Sequence, residues 1–131
     1  MAPRPNAESR APVVGTGHVD YRLQRQTILD LVREGSVSRA EVCDAHPELL
    51  RVARNCAPAV EELCPICERT ELVTVQYAFG PRLPPGGKTI LSDRELARID
   101  ARSGVFDCYE IEVCPTCGWN HLLRRFNVGR R

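Results

Sequence analysis

The sequence predicts an α+β chain, a helical N-terminal segment followed by a three-stranded antiparallel ribbon with a helical insertion. Three observations predict it. Two Cys-x-x-Cys pairs, Cys64/Cys67 and Cys114/Cys117, bracket the second half of the chain. Runs of strand-forming residues follow the first pair and flank the second. Helical periodicity with start and stop signals fills residues 21–58. The predicted organisation is a flexible tail over 1–20, a helical segment over 21–58 and a ribbon over 59–131 with its insertion at about 80–104.

The tail reading rests on Pro3, Pro5, Pro12, Gly15 and Gly17 among small and charged residues, too little apolar surface to offset ordering entropy. Tyr21, Ile28, Leu29 and Val32 then recur at helical spacing, and Gly35 stands where a left-handed residue closes a helix. Ser38-Arg39-Ala40-Glu41 is a capping box, in which the hydroxyl and the carboxylate each satisfy a free backbone N–H. Pro47 cannot continue that helix but suits the first turn of a third, which carries Leu49, Leu50, Val52 and Ala53 and stops by Pro58.

Beyond the first cysteine pair, Val73, Val75, Tyr77 and Phe79 mark a strand over Glu71–Phe79. Gly80-Pro81 and Pro84-Pro85-Gly86-Gly87 break it into a loop. Ser92-Asp93-Arg94-Glu95 opens another helix, expected over Asp93–Arg102 and ended near Gly104. Residues Val105 to Val113 alternate with period two, and Trp119 to Val128 reads as the last strand.

Composition narrows the function classes. Lys and Arg number 18 against 17 acidic residues, a formal charge of +1. Four metal-bound thiolates and a divalent ion would bring the sum to about −1. Bulk charge therefore does not suit a protein that coats nucleic acid. No run approaches the length of a membrane span, and the first residues lack the apolar centre of a secretory leader. The expectation is a soluble, cytoplasmic protein, in which paired cysteines are metal ligands before they are disulfides.

Four thiols in two such pairs are the donor set of a closed tetrahedral site, and the chain order is that of a zinc ribbon. The 46 residues between the pairs exceed a minimal ribbon, and the loop and helix of the insertion account for the excess. The expected cofactor is one structural Zn2+, worth roughly 10–16 kcal/mol in small domains. Iron in the same four sulfurs is not distinguished by spacing, and a redox dithiol would need one pair in a βαβ setting. Gly118 suits the positive φ of the second turn, Trp119 is expected to pack over it, and His121 reads as a partly exposed strand histidine, with contact to a thiolate or a partner as the alternative. Cys43, Cys56 and Cys108 read as small apolar groups rather than ligands.

Two further features bear on partners. Arg124, Arg125, Arg130 and Arg131 make the C-terminus locally basic, a patch for phosphate or an acidic protein face. Residues 21–56 have the outline of a helix-turn-helix, but the turn at Asp44–Pro47 lacks glycine and acidic residues offset the arginines. Gly86-Gly87-Lys88-Thr89 echoes the end of a phosphate-binding loop without its earlier glycine. No nucleophile–base arrangement is visible, so an enzyme is not expected.

From Tyr21 to about Val128 the chain resembles a small actinobacterial zinc-ribbon family of uncharacterised function. The resemblance lies in Arg22-Leu23-Gln24-Arg25-Gln26, Glu41-Val42-Cys43-Asp44-Ala45, the Cys64-Pro65-Ile66-Cys67 turn, and Glu112-Val113-Cys114 through Cys117 with Trp119-Asn120-His121-Leu122. It implies an actinobacterial, cytoplasmic protein and supplies no activity to carry over. The functional expectation is a non-enzymatic zinc-binding adaptor. It would take a protein partner, by fold-level analogy in a transcription or translation assembly, with no membrane and no small-molecule substrate. The alternative is a DNA-binding regulator using residues 21–56.

Overall fold

The computed structural model describes residues 17–130. Of the expected tail, residues 1–16 lie outside them, as does Arg131. Ten elements run in the order β1 (His18–Asp20), α1 (Arg22–Glu34), α2 (Arg39–Val42), α3 (Pro47–Asn55), β2 (Ala59–Leu63), β3 (Glu71–Phe79), β4 (Lys88–Ile90), α4 (Asp93–Asp100), β5 (Phe106–Val113) and β6 (Asn120–Val128).

The fold class departs from expectation. The three foreseen strands exist as β3, β5 and β6, but they belong to one six-stranded antiparallel sheet in the order β1-β6-β5-β3-β2, with β4 also pairing β3. A helical N-terminus followed by a three-stranded ribbon is therefore wrong: the molecule is a strand-rich sheet carrying its helices. The extra strands escaped the sequence for local reasons. Strands β1 and β4 span three residues each, too short to show a period. Strand β2 carries Glu61 and Glu62, is exposed throughout, and shifts register against β3 where Glu61 takes a φ of 56°. That is an edge strand written without an apolar face.

Helix signals fared better because caps are local chemistry. The Gly35 N–H, at φ 84°, bonds Leu31 and Val32 carbonyls to close α1. Both halves of the Ser38/Glu41 box are made. Pro47 opens α3, whose first turn is capped by the His46 ring accepting from the Glu48 N–H. Ser92 caps α4, while the Glu95 carboxylate reaches Leu91 rather than the cap residue itself.

Alternation along β3 and β5 divides the core between two faces of the sheet. On one face Val73, Val75, Tyr77, Ile111 and Val113 pack beneath Leu49, Val52 and Ala53 of α3. On the other, the end near the cysteine turns gathers Leu72 and Trp119 under Leu29 of α1. The far end of that face packs Ala78, Phe106 and Cys108 against Ile99 of α4. Between the two helices lies a polar stripe in which Glu110 accepts from Gln76 and Arg124. Among the described residues, no helix is long and apolar enough to cross a membrane.

Candidate metal centre

Two chain segments 50 residues apart fold into the same turn. In the first, the Cys64 N–H bonds the Thr70 carbonyl, the Glu68 N–H bonds the Cys64 carbonyl, and the Ile66 N–H points at Cys64 Sγ at 3.4 Å. In the second, the Cys114 N–H bonds the Trp119 carbonyl, the Gly118 N–H bonds the Cys114 carbonyl, and the Cys117 N–H lies 3.4 Å from Cys114 Sγ. Each turn needs a left-handed residue four places after its first cysteine. Gly118 supplies it at φ 88°, as the sequence suggests, and Glu68 supplies it at φ 57° in the other turn. The Thr70 hydroxyl donates to the Thr116 hydroxyl at 2.8 Å, tying one turn to the other.

The sheet brings the turns together. Strand β3 leaves the first turn and β5 runs into the second, and the two pair antiparallel from Val73↔Val113 onward. Both turns therefore emerge at one end of adjacent strands. The Sγ atoms of Cys64, Cys67, Cys114 and Cys117 all lie within 4.8 Å of one another. Cys64 and Cys117 sulfurs are 3.6 Å apart, and those of Cys67 and Cys114 are 3.7 Å apart. A tetrahedron with metal–sulfur bonds of about 2.3 Å has sulfur–sulfur edges of about 3.8 Å. A disulfide would need about 2.05 Å. The four sulfurs can hold a metal ion.

Electrostatics points the same way. Burial pushes the Cys64 thiol far up and the Cys117 thiol up to about 12. Cys67 also meets opposition from burial, but backbone N–H groups of Arg69 and Thr70 and the neighbouring thiols draw it down to about 7. Cys64 and Cys117, this unwilling to ionise, need a cation to become thiolates, and a coordinated divalent ion removes the proton outright.

Around the sulfurs the structure is dry on the sheet side. Trp119, 1 % exposed, packs with Leu29, Ile66 and Leu72 against the buried sulfurs of Cys64 and Cys114. Its indole N–H donates to Glu112 Oε2 at 2.7 Å, and Arg25 Nε of α1 donates to the same oxygen at 2.5 Å. The pair Arg25–Glu112 is thus sealed beside the centre, with Glu112 only 3 % exposed. His121 is buried rather than a partly exposed strand histidine: its ring stacks on Trp119 with centroids 6.0 Å apart, and Nδ1–H donates to the Leu122 carbonyl.

Of the four expected basic residues Arg131 lies outside the described residues, and Arg124, Arg125 and Arg130 do not gather into one patch. Arg124 pairs with Glu110 and lies 4.4 Å from the Phe126 ring centroid, while Arg125, on the opposite face, lies 5.9 Å from that of Tyr109. The Arg130 backbone bridges to Ser103, away from both.

Two groups at the centre were missed by sequence reasoning. Cys43 packs against the apolar cluster around Trp119, as expected, but its Sγ also lies 3.7 Å from Cys117 Sγ, which was not foreseen. Cys56 is exposed, and Cys108 alone of the three is fully buried, as expected. Nothing in local spacing announces Cys43, since its contact spans 74 residues. Glu112 did carry a signal, a carboxylate on the strand face shared with Phe106 and Cys108.

These features match known proteins in one way. Residues 14–131 fit the family of unknown function DUF5318, and the chain belongs to that family. Relatives include the uncharacterized protein Rv0049 of Mycobacterium tuberculosis and the uncharacterized protein Mb0050 of Mycobacterium bovis. Each is 36% identical over 111 residues, covering 85% of this chain and 81% of the relative. No solved structure matches the chain.

Proposed function

We propose that the chain is a non-enzymatic adaptor whose fold is stapled by one structural zinc ion and whose partner is a protein. The observation that carries this is the closed set of four sulfurs, at edge lengths that fit zinc and with no fifth position for a substrate. The zinc would hold the two turns, and through them the sheet end on which α1 and the α2–α3 loop rest.

Two observations favour an adaptor over the rival roles. The depression of about 440 Å³ between α1, α2 and the first turn is lined by Leu29, Val32, Val37 and Ile66 together with the charged Arg33, Arg39 and Glu68, and neither a cysteine nor a histidine is among its lining residues. Its Ser38 hydroxyl is committed to capping α2. On α3, which a DNA reader would use for recognition, Leu49, Val52 and Ala53 face the sheet. The exposed Arg51 pairs with Glu48, and Arg54 donates to the Pro115 carbonyl.

Elemental analysis of the purified full chain tests the metal, with about one zinc per chain expected. Affinity capture from native lysate, run with zinc-loaded and chelated bait, tests the adaptor role. Capture of the same protein partner by zinc-loaded bait alone supports it. Saturable duplex DNA binding that weakens when Arg51 or Arg54 is replaced would overturn it in favour of a regulator.

A further inference from the structure

Cys43 is held at the metal centre by more than proximity. The loop after α2 docks on the second cysteine turn: the Ala45 N–H bonds the Gly118 carbonyl at 3.1 Å, and Asn120 donates to Asp44 at 3.0 Å. A Cβ on Gly118 would sit 3.0 Å from the Cys43 carbonyl oxygen, so the absent side chain is what lets the loop lie this close. The result is a fifth sulfur beside four, touching Cys117. Four sulfurs complete a tetrahedron. The fifth therefore has no ligand position to fill, yet the fold presents it to one ligand in particular. Cys43 and Cys117 are both half-buried rather than sealed, unlike Cys64 and Cys114.

We infer that Cys43 and Cys117 form an oxidative modification site, at which a hydroperoxide joins them in a disulfide and the metal is released. The inference rests on the zinc reading given above. The Cys117 thiolate attacks first, at the terminal oxygen of the hydroperoxide: an S–O bond forms, the O–O bond breaks, and an alkoxide (hydroxide, for hydrogen peroxide) leaves and takes a proton from solvent. The Cys43 sulfur then attacks the sulfenic sulfur. An S–S bond forms, the S–O bond breaks, and the departing hydroxide takes the Cys43 proton and leaves as water. Two sulfurs lose two electrons, and the hydroperoxide is reduced to an alcohol and water. With Cys117 gone from its coordination, three thiolates remain and the ion passes to any competing chelator. A thiol reductant reverses the disulfide and restores the site.

Hydrogen peroxide is the probe, applied to the zinc-loaded full chain in the presence of a chromogenic zinc chelator. Peptide mapping is expected to find Cys43 joined to Cys117, with zinc released in step and rebound after reduction. In Cys43→Ser the sulfenic acid has no resolving partner. Reversible release should fall about tenfold, and Cys117 should accumulate as sulfinic acid. Cys56→Ser, at an exposed thiol outside the four-sulfur cluster, should behave as the parent. Disulfides that join Cys64 to Cys67 or Cys114 to Cys117 instead would overturn the inference. So would release from Cys43→Ser that is as fast and as reversible as from the parent. Metal content measured before peroxide separates the two claims. A chain purified empty of zinc sinks the proposed function, whereas a loaded chain that sheds zinc without joining Cys43 to Cys117 sinks only the disulfide.

Discussion

Glu112 shows how much one side chain can decide. Its Oε2 accepts from both Trp119 and Arg25, so a single carboxylate anchors the indole over the sulfurs and α1 over the indole. Removing one partner of a buried ion pair leaves the other charge unmet, at about 3–5 kcal/mol. Glu112→Ala is expected to lower stability by that amount in urea melts, with a red-shifted emission from the single tryptophan. Cys108 makes a different prediction, about pH. Burial pushes its thiol up to about 11, while an unfolded cysteine ionises near 8.5. The folded chain keeps a proton that the unfolded chain gives up. Stability from this group is thus complete below about pH 8.5 and drains away as pH climbs toward 11. Zinc-loaded protein, whose ligand thiols no longer titrate there, should show that alkaline loss, and Cys108→Ala should flatten it. Buried Tyr77 and Tyr109, whose hydroxyls burial also raises, would add to the slope at its upper end.

At the scale of elements, the docked α2–α3 loop and the second cysteine turn form one unit. Gly118→Ala would force a side chain into a left-handed backbone and against the Cys43 carbonyl, a strain of about 1–3 kcal/mol. Gly35→Ala imposes the left-handed strain alone, because nothing lies within 4 Å of its added carbon. Hydrogen exchange should therefore rise around Cys43–Ala45 in the first variant and stay local to the end of α1 in the second. Elements also mark where the sequence was legible. Caps, turns and the long alternating strands were readable because each is decided within four or five residues. Strand β2 was not, since its residues are exposed and acidic and only β3 makes it a strand. The cysteine quartet was legible from spacing, whereas Cys43 was not, because a loop from the helical half reaches it only after the chain has folded.

Over the whole molecule, the question is what the metal organises. The ion would sit at one end of the sheet, where α1, α3 and the α2–α3 loop all make contact with the second turn or its neighbours through Arg25, Arg54 and Ala45. Chelation of the purified chain should accordingly loosen α1 and α2 as well as both turns. The far end, where Ile99 of α4 packs on Phe106 and Cys108, should hold its exchange protection longest. Uniform loss of protection across both ends would show that the sheet is one cooperative unit instead. Here the sequence misled most. Three helices in succession looked like a segment of their own, because periodicity tells which residues of a helix are apolar and not which sheet they will cover.

The pairing of β3 with β5 carries a last implication. Each cysteine turn is fused to one of these strands, so the spacing of the sulfurs is fixed by how the strands are aligned. Sliding one strand past the other by a single residue would turn its side chains over and carry one cysteine pair out of reach of the other. An ion that demands all four sulfurs would thereby act as a proofreader of strand alignment, rewarding the correct zipper and ignoring every misthreaded one.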